Sequence, residues 1–247
     1  MRRLIASLLL LTQAACAVGR PTLPADPCPT PLLADGFSFP LDPSRFGPYV
    51  RGVSGPLDVD TRFGVQNPGV GSAPKCFHDQ NGAGVPFREL YHAGEDWFRL
   101  DAAGQVDSFA AANAQVRAVA HGVVYMTQKI GSQGWIVVIS HRLADDTAVY
   151  SAYWHVTQLQ VDWGDAVRRG QVIALVHDQG GNSHLHWEIR AFADGSELFS
   201  PDSAGGRGTC NGRAGGVAYT WDDEPTRARP EYWGYFSPTA FVESHLP

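Results

Sequence analysis

Between residues 116 and 190 the chain keeps breaking into short runs rich in Val, Ile, Tyr and Trp, each bounded by Gly or Asp: 116–126, 135–141, 148–154, 172–176 and 184–190. Such runs are too short for helices that bury a broad apolar face, but they have the length and residue preferences of antiparallel strands. The 27 Gly and 17 Pro among 247 residues agree, because both interrupt helices and mark turns. With 44% hydrophobic residues, that length can bury a core in one or two domains. The expected fold is therefore mainly β, an antiparallel sheet or sandwich-like domain with long loops.

The N-terminus reads as a targeting segment. Met1-Arg2-Arg3, an apolar stretch over 4–11 and the small residues Ala14-Ala15-Cys16-Ala17 follow the order of a secretory signal peptide. Cleavage after Ala17 gives a soluble product, whereas cleavage before Cys16 gives a lipoprotein anchored in the membrane through that cysteine; Gln13 stands where such signals usually have an aliphatic residue. Either way the expectation is export, to the periplasm, the cell envelope or the medium. Residues 1–17 are then the signal, the Pro-rich, aperiodic 18–45 a tether or extended arm, and 46–247 one β-rich domain with its chemistry at about 88–192. An exported chain can hold disulfides, and Cys28, Cys76 and Cys210 give one pair plus a spare thiol. Cys76 with Cys210 is the favoured pair, since both lie in Gly-rich flanks of the central region, but the sequence leaves the pairing open. No two cysteines have a CxxC spacing, which argues against a zinc-thiolate site. A net charge of −6, with 17 Arg and 2 Lys scattered along the chain, excludes a broad nucleic-acid-binding surface. After the N-terminus no apolar run is long enough to span a bilayer.

Three groups of histidines carry the chemistry. In His184-Leu185-His186-Trp187-Glu188 the strand alternation puts both imidazoles on one face and Leu185 and Trp187 on the other, so the apolar pair can enter the core while the histidines meet over a cleft. In His92-Ala93-Gly94-Glu95-Asp96 the His and Asp can converge on one point, and Gly94 lets the backbone bend towards a ligand. Two imidazoles and a carboxylate make a usual Zn²⁺ donor set, with a fourth position left for water. His155 closes the run Tyr153-Trp154-His155. Taken singly, each group has a structural reading as well, as solvated strand histidines or a satisfied core ring.

Taken together, and in this order, the groups resemble the lysostaphin and LytM type of zinc metallopeptidase, which cuts peptide bonds in peptidoglycan. Further pieces match that family's strands: Val119-Ala120-x-Gly122-Val123-Val124, Ile136-Val137-Val138-Ile139-x-His141 and Gly164-Asp165-x-Val167-x-x-Gly170-Gln171-x-Ile173. The likeness covers residues about 88 to 192. It implies a metallopeptidase domain with an open groove, zinc ligands at His92, Asp96 and His186, and an unligated catalytic pair at His155 and His184. Those two rings would orient a water, take up its proton and stabilise the oxyanion; which one is the base stays open. The implied partner is a peptidoglycan peptide, and the chain is expected to act as a monomer. The alternative is a non-enzymatic envelope regulator or scaffold of the same fold, of the amidase-activator kind. Glu188 shares the face of the two histidines and reads either as a hydrogen-bond partner for a ligand or as a plain surface carboxylate. His141 reads as structural or groove-lining, and His78, His121, His177 and His245 as surface residues. Gly180-Gly181-Asn182-Ser183 runs directly into His184, a shorter loop than the family's, 98–115 and 191–230 read as insertions, and the N-terminal third is unmatched. Which peptidoglycan bond is cut therefore stays open.

Overall fold

The computed structural model describes residues 32–41, 49–51, 61–66, 89–193, 218–220, 224–226 and 228–247. In chain order its strands are β1 (Tyr49–Arg51), β2 (Tyr91–His92), β3 (Glu95–Leu100), β4 (Val106–Asp107), β5 (Gln115–Arg117), β6 (Gly122–Lys129), β7 (Trp135–Arg142), β8 (Ala148–Thr157), β9 (Ala166–Val167), β10 (Val172–Val176), β11 (Leu185–Arg190), β12 (Tyr219–Thr220) and β13 (Tyr235–Phe236), followed by the helix α1 (Pro238–Ser244). The strands pair antiparallel throughout. One sheet runs β1-β3-β11-β8-β7-β6-β9, with β10 joining β8 to β5, β4 beside β3 and β13 beside β11; β12 and β2 form a separate ribbon. The mainly β, antiparallel architecture is the one the short apolar runs imply.

The position of β11 explains its sequence. It lies between β3 and β8, and all six of its residues are buried. Leu185, Trp187 and Ile189 enter the main core with Val137, Ile139, Tyr153 and Ile173. Alternation then sends His186, Glu188 and Arg190 to the opposite face. Register supplies the neighbours: His186 lies opposite Asp96 on β3 and opposite Trp154 on β8.

Two boundaries differ from expectation. Residues 116–126 form two strands rather than one, because the link at 118–121 bonds elsewhere: Ala118 N–H donates to Gln171 O at 2.9 Å and Val119 N–H to the Tyr153 hydroxyl at 2.9 Å. Strand β8 continues past Trp154 to Thr157, and it does so through a bulge. Its pairing with β7 steps from Trp135↔Val156 to Val137↔Tyr153, three residues on β8 against two on β7, so one residue between Tyr153 and Val156 is extra.

Residues 32–41, near the end of the stretch expected to be a tether or arm, lie along the body. Phe37 and Leu41 are each 1% exposed, Phe37 N–H donates to His245 O at 2.8 Å, and Leu41 bridges to Val116. The aromatic tail also packs: Phe241 of α1 meets Phe37 edge-on at 5.1 Å. Glu95 fixes the start of α1, its carboxylate accepting from Thr239 N–H at 3.1 Å and from the Thr239 hydroxyl at 2.6 Å. Among the described residues no helix is long and apolar enough to cross a membrane. The segment 1–17, His78, and the cysteines Cys16, Cys28, Cys76 and Cys210 lie outside the described residues.

Candidate metal centre

The site forms where the β2–β3 turn crosses β11. The His92 backbone is held on both sides, its N–H donating to Val65 O at 2.9 Å and its carbonyl accepting from Gly64 N–H at 2.8 Å. Gly94 is required for space rather than for an unusual backbone angle. A Cβ there would lie 2.5 Å from Trp187 O and 2.8 Å from two atoms of the His186 ring, so only glycine lets the turn rest on β11. With the turn seated, His92 Nε2 is 3.0 Å from His186 Nδ1 and 3.3 Å from Asp96 Oδ1, and His186 Nδ1 is 2.8 Å from Asp96 Oδ1. His92, Asp96 and His186 are all buried and together can offer one ligand atom each to a metal ion.

This donor set fits Zn²⁺. Ligand bonds of about 2.0–2.1 Å in a tetrahedron place donor atoms about 3.3 Å apart, close to the separations here, and three protein donors leave the fourth position open. Charge points the same way. Burial pushes the Asp96 carboxyl up, but the His92 and His184 rings and the hydrogen bonds from His186 and His92 hold it well below the usual carboxylate range. Burial pushes His186 down, yet its hydrogen bonds to Asp96 and Glu188 prevail and bring it up to about 9. The metal-free cluster thus carries its positive charge as a proton on His186, and a cation can take that place. His92 Nδ1 is buried with no hydrogen-bond partner among the described residues.

Beside this triangle sit the other two histidines. His184 Nε2 is 3.6 Å from Asp96 Oδ1, and its ring stacks on Phe98 at 4.9 Å. Its Nδ1 lies 2.7 Å from Asn182 O; a carbonyl only accepts, so Nδ1 carries the proton and Nε2 is left bare in the neutral ring. His155 repeats the pattern, with Nδ1 donating to Gln133 O at 3.2 Å and its ring edge-on to His184 at 4.8 Å. Burial, only partly offset by Asp96, lowers the pKa of His184; burial and the rings of His184 and His186 lower that of His155. His155 reaches this face because its φ is +57° at the bulge of β8, which breaks the alternation that would aim its ring with Tyr153 into the core. The structure thus brings His92, Asp96, His155, His184 and His186 together.

Of the remaining expectations, Glu188 is fully buried rather than a surface carboxylate, with Oε1 3.0 Å from His186 Nε2. His141 is fully buried and structural, not groove-lining, with Nδ1 on His121 O at 2.8 Å and Nε2 on Ser151 Oγ at 2.7 Å. His245 and His177, read as surface residues, are half-buried and have partners, His245 stacked on Phe241 at 4.2 Å and His177 Nε2 donating to Ser132 O at 3.0 Å. His121 likewise accepts from Arg169 N–H at 3.2 Å. Sequence reasoning missed the carbonyls of Gln133 and Asn182, which leave no side-chain signal, and Phe98, which the alternation from Asp96 could have found. Arg190 was missed as well, although the alternation that selects Glu188 selects it too.

Residues 103–198 match Peptidase family M23, in agreement with the resemblance read from the motifs. The matched stretch holds His155, His184 and His186 and begins after His92 and Asp96, which the motif resemblance and the geometry of the site join to it. Similar solved structures include a zinc-containing peptidase from Vibrio cholerae, 24% identical over 63% of this chain and 37% of that one, with a TM-score of 0.36. Lysostaphin from Staphylococcus simulans is 14% identical over 85% of this chain and 56% of that one, TM-score 0.42. The SpoIIQ–SpoIIIAH pore-forming complex is 18% identical over 63% of this chain and 83% of that one, TM-score 0.36. The chain thus spans little more than a third of the length of the Vibrio peptidase. No curated protein matches.

Proposed function

We propose that this chain, whose residues 103–198 match Peptidase family M23, is an exported zinc endopeptidase that hydrolyses peptide bonds in peptidoglycan crosslinks or stem peptides. The observation that carries the reading is the convergence of His92 Nε2, Asp96 Oδ1 and His186 Nδ1 to within 3.3 Å of one another, beside two imidazoles that each keep Nδ1 on a backbone carbonyl. A Zn²⁺ ion held by this set supplies Lewis acidity and brings the ionisation of water near neutral pH.

The protein's own residues do the rest. His155 and His184 have their protonated nitrogens committed, so each offers an Nε2 lone pair that can accept a proton from water and return it to a leaving amine. Phe98, stacked on His184, fixes the plane of that ring. The backbone carbonyls of Gln133 and Asn182 fix the tautomer of each ring, with the proton on Nδ1. The peptidoglycan target rests on the family resemblance, and export on the first 17 residues. The regulator alternative is of the same fold, and metal analysis with the digestion below separates the two.

The test is digestion of defined peptidoglycans by the mature, zinc-loaded protein, with new peptide ends identified by mass spectrometry. New amino termini within the peptide moiety are expected; none from a panel that another M23 enzyme digests would reject the reading. His186→Ala should lose zinc. His155→Ala should keep it while turnover falls by about 10²–10⁴-fold. Equal metal loss in both variants would reject the division of roles. Mass spectrometry of the mature N-terminus separates an acylated Cys16 from a start at Val18.

A further inference from the structure

We propose that Glu188 and Arg190 are positioning residues: a buried ion pair that grips His186 through Nε2 and thereby presents Nδ1 as the ligand nitrogen. The inference rests on the zinc reading above. His186, Glu188 and Arg190 alternate along one face of β11 and are 1%, 0% and 0% exposed. Glu188 divides its two oxygens, Oε1 lying 3.0 Å from His186 Nε2 and Oε2 3.0 Å from an Arg190 terminal nitrogen. The second terminal nitrogen of Arg190 donates to Ala193 O at 2.9 Å, and the guanidinium lies 5.0 Å over the Phe192 ring. Phe192 in turn meets Tyr235 edge-on at 5.0 Å, and Tyr235 is the register partner of Arg190.

Stability is a poor reason to keep this pair. Removing two charges from water is costly, and apolar residues of similar volume in place of a buried ion pair are often neutral or stabilising. Geometry supplies a better reason. An imidazole on a strand can flip about its Cβ–Cγ bond, which would turn carbon towards Asp96 and His92 in place of Nδ1. The carboxylate at Nε2 prevents the flip and keeps that nitrogen protonated, so the lone pair stays on Nδ1. Arg190 then keeps Glu188 from rotating away. Its planar fork makes two fixed contacts at once, to Glu188 and to Ala193 O, which a lysine ammonium could not reproduce in one plane.

The deciding measurement is zinc affinity of the full chain by competition with a chromophoric chelator, alongside denaturant unfolding of the metal-free protein. Glu188→Leu combined with Arg190→Leu should fold with stability near that of the parent, yet bind zinc about 10- to 100-fold more weakly. Glu188→Gln combined with Arg190→Met restores a neutral acceptor for Nε2–H and should recover most of that loss. Parental affinity in the folded Leu pair, or no recovery in the Gln–Met pair, overturns the inference. Should the Leu pair not fold, Arg190→Gln decides alone: about 10-fold weaker binding is expected, and unchanged binding overturns the proposal. His186→Ala separates the two readings. If the parent binds one zinc that this variant loses, a failure above touches the positioning pair only; if the parent binds none, the zinc reading falls with it.

Discussion

His155 holds an unusual backbone position for its residue type. A φ of +57° is left-handed, which costs an L residue roughly 1–2 kcal/mol and glycine nothing comparable. The cost is tolerated where it aims the ring at His184 instead of the core, as strain near functional groups commonly does. Alanine and glycine both delete the ring, so comparing them isolates the backbone. In urea unfolding of the metal-free protein, His155→Gly should be more stable than His155→Ala by about 1 kcal/mol, the reverse of the usual order inside a strand. An alanine variant equal to or better than glycine would show that the position is unstrained. Gly94 poses the opposite problem, since its limit is room. Gly94→Ala drives a Cβ to 2.5 Å from Trp187 O and 2.8 Å from the His186 ring, and backbone cannot yield as a flexible side chain would. A loss of about 1–3 kcal/mol is expected, together with weaker zinc binding, because the displaced turn carries both His92 and Asp96. Calorimetry and the chelator competition read the two effects separately.

At the scale of elements, β3 works on both its faces. Asp96 turns to His186, while Glu95 turns the other way and holds the start of α1 through Thr239, with the Trp97 indole N–H also donating to it at 3.1 Å. A charged acceptor that binds two groups of one helix turn is worth about 1.5–3 kcal/mol per bond before relaxation. Glu95→Ala should therefore destabilise the protein by about 2–3 kcal/mol and speed amide exchange across α1. Protection of α1 equal to the parent's would show that Phe241 and Val242 hold the helix without Glu95. No sequence signal pairs residues 95 and 239, because their contact is decided by how a terminal helix closes over a sheet. The same division runs through the site. His184-x-His186 and His92-x-x-x-Asp96 were legible because each motif is local and the period of a strand fixes its face. The sheet neighbours of β11 were not legible, since register across 90 residues depends on the whole ladder. The bulge that re-aims His155 adds a single residue and leaves no mark in composition, and the split of 116–126 depends on a hydroxyl from β8 that caps Val119. Glu188 stayed undecided between two readings because burial is set by the tertiary surroundings of a strand, and here β11 is flanked by strands as distant in sequence as β3 and β13.

Across the whole molecule, His141 links parts that are distant in sequence. Its ring touches the link before β6 through His121 O and β8 through Ser151, and it meets Phe37 of the N-terminal arm edge-on at 5.4 Å; Phe37 in turn contacts α1. The hydrogen bonds specify its protonation. A carbonyl can only accept, so Nδ1 carries the proton, and in the neutral ring Nε2 accepts from Ser151. The Ser151 hydroxyl is 3.0 Å from that of Tyr153, which can donate to it while accepting from Val119 N–H, so the chain closes with no charge. Burial, against the favourable His121 carbonyl, lowers the pKa of this ring from 6.5 to about 4. Above pH 6.5 the ring is neutral in both folded and unfolded chains and contributes no pH dependence. As pH falls from 6.5 to 4 the unfolded chain takes up a proton that the folded one refuses, so stability drops over that window and levels off below it. At about 1.4 kcal/mol per pH unit, the loss from this one ring is about 3 kcal/mol. His141→Asn keeps a donor near the Nδ1 position and removes the titration. Its unfolding free energy should start lower at neutral pH, and the gap to the parent should close by about 3 kcal/mol on acidification, because only the parent pays for a proton on this ring. Urea unfolding at intervals from pH 7 to pH 4 reads the gap directly, and two parallel curves would show that the acid sensitivity of the fold resides elsewhere.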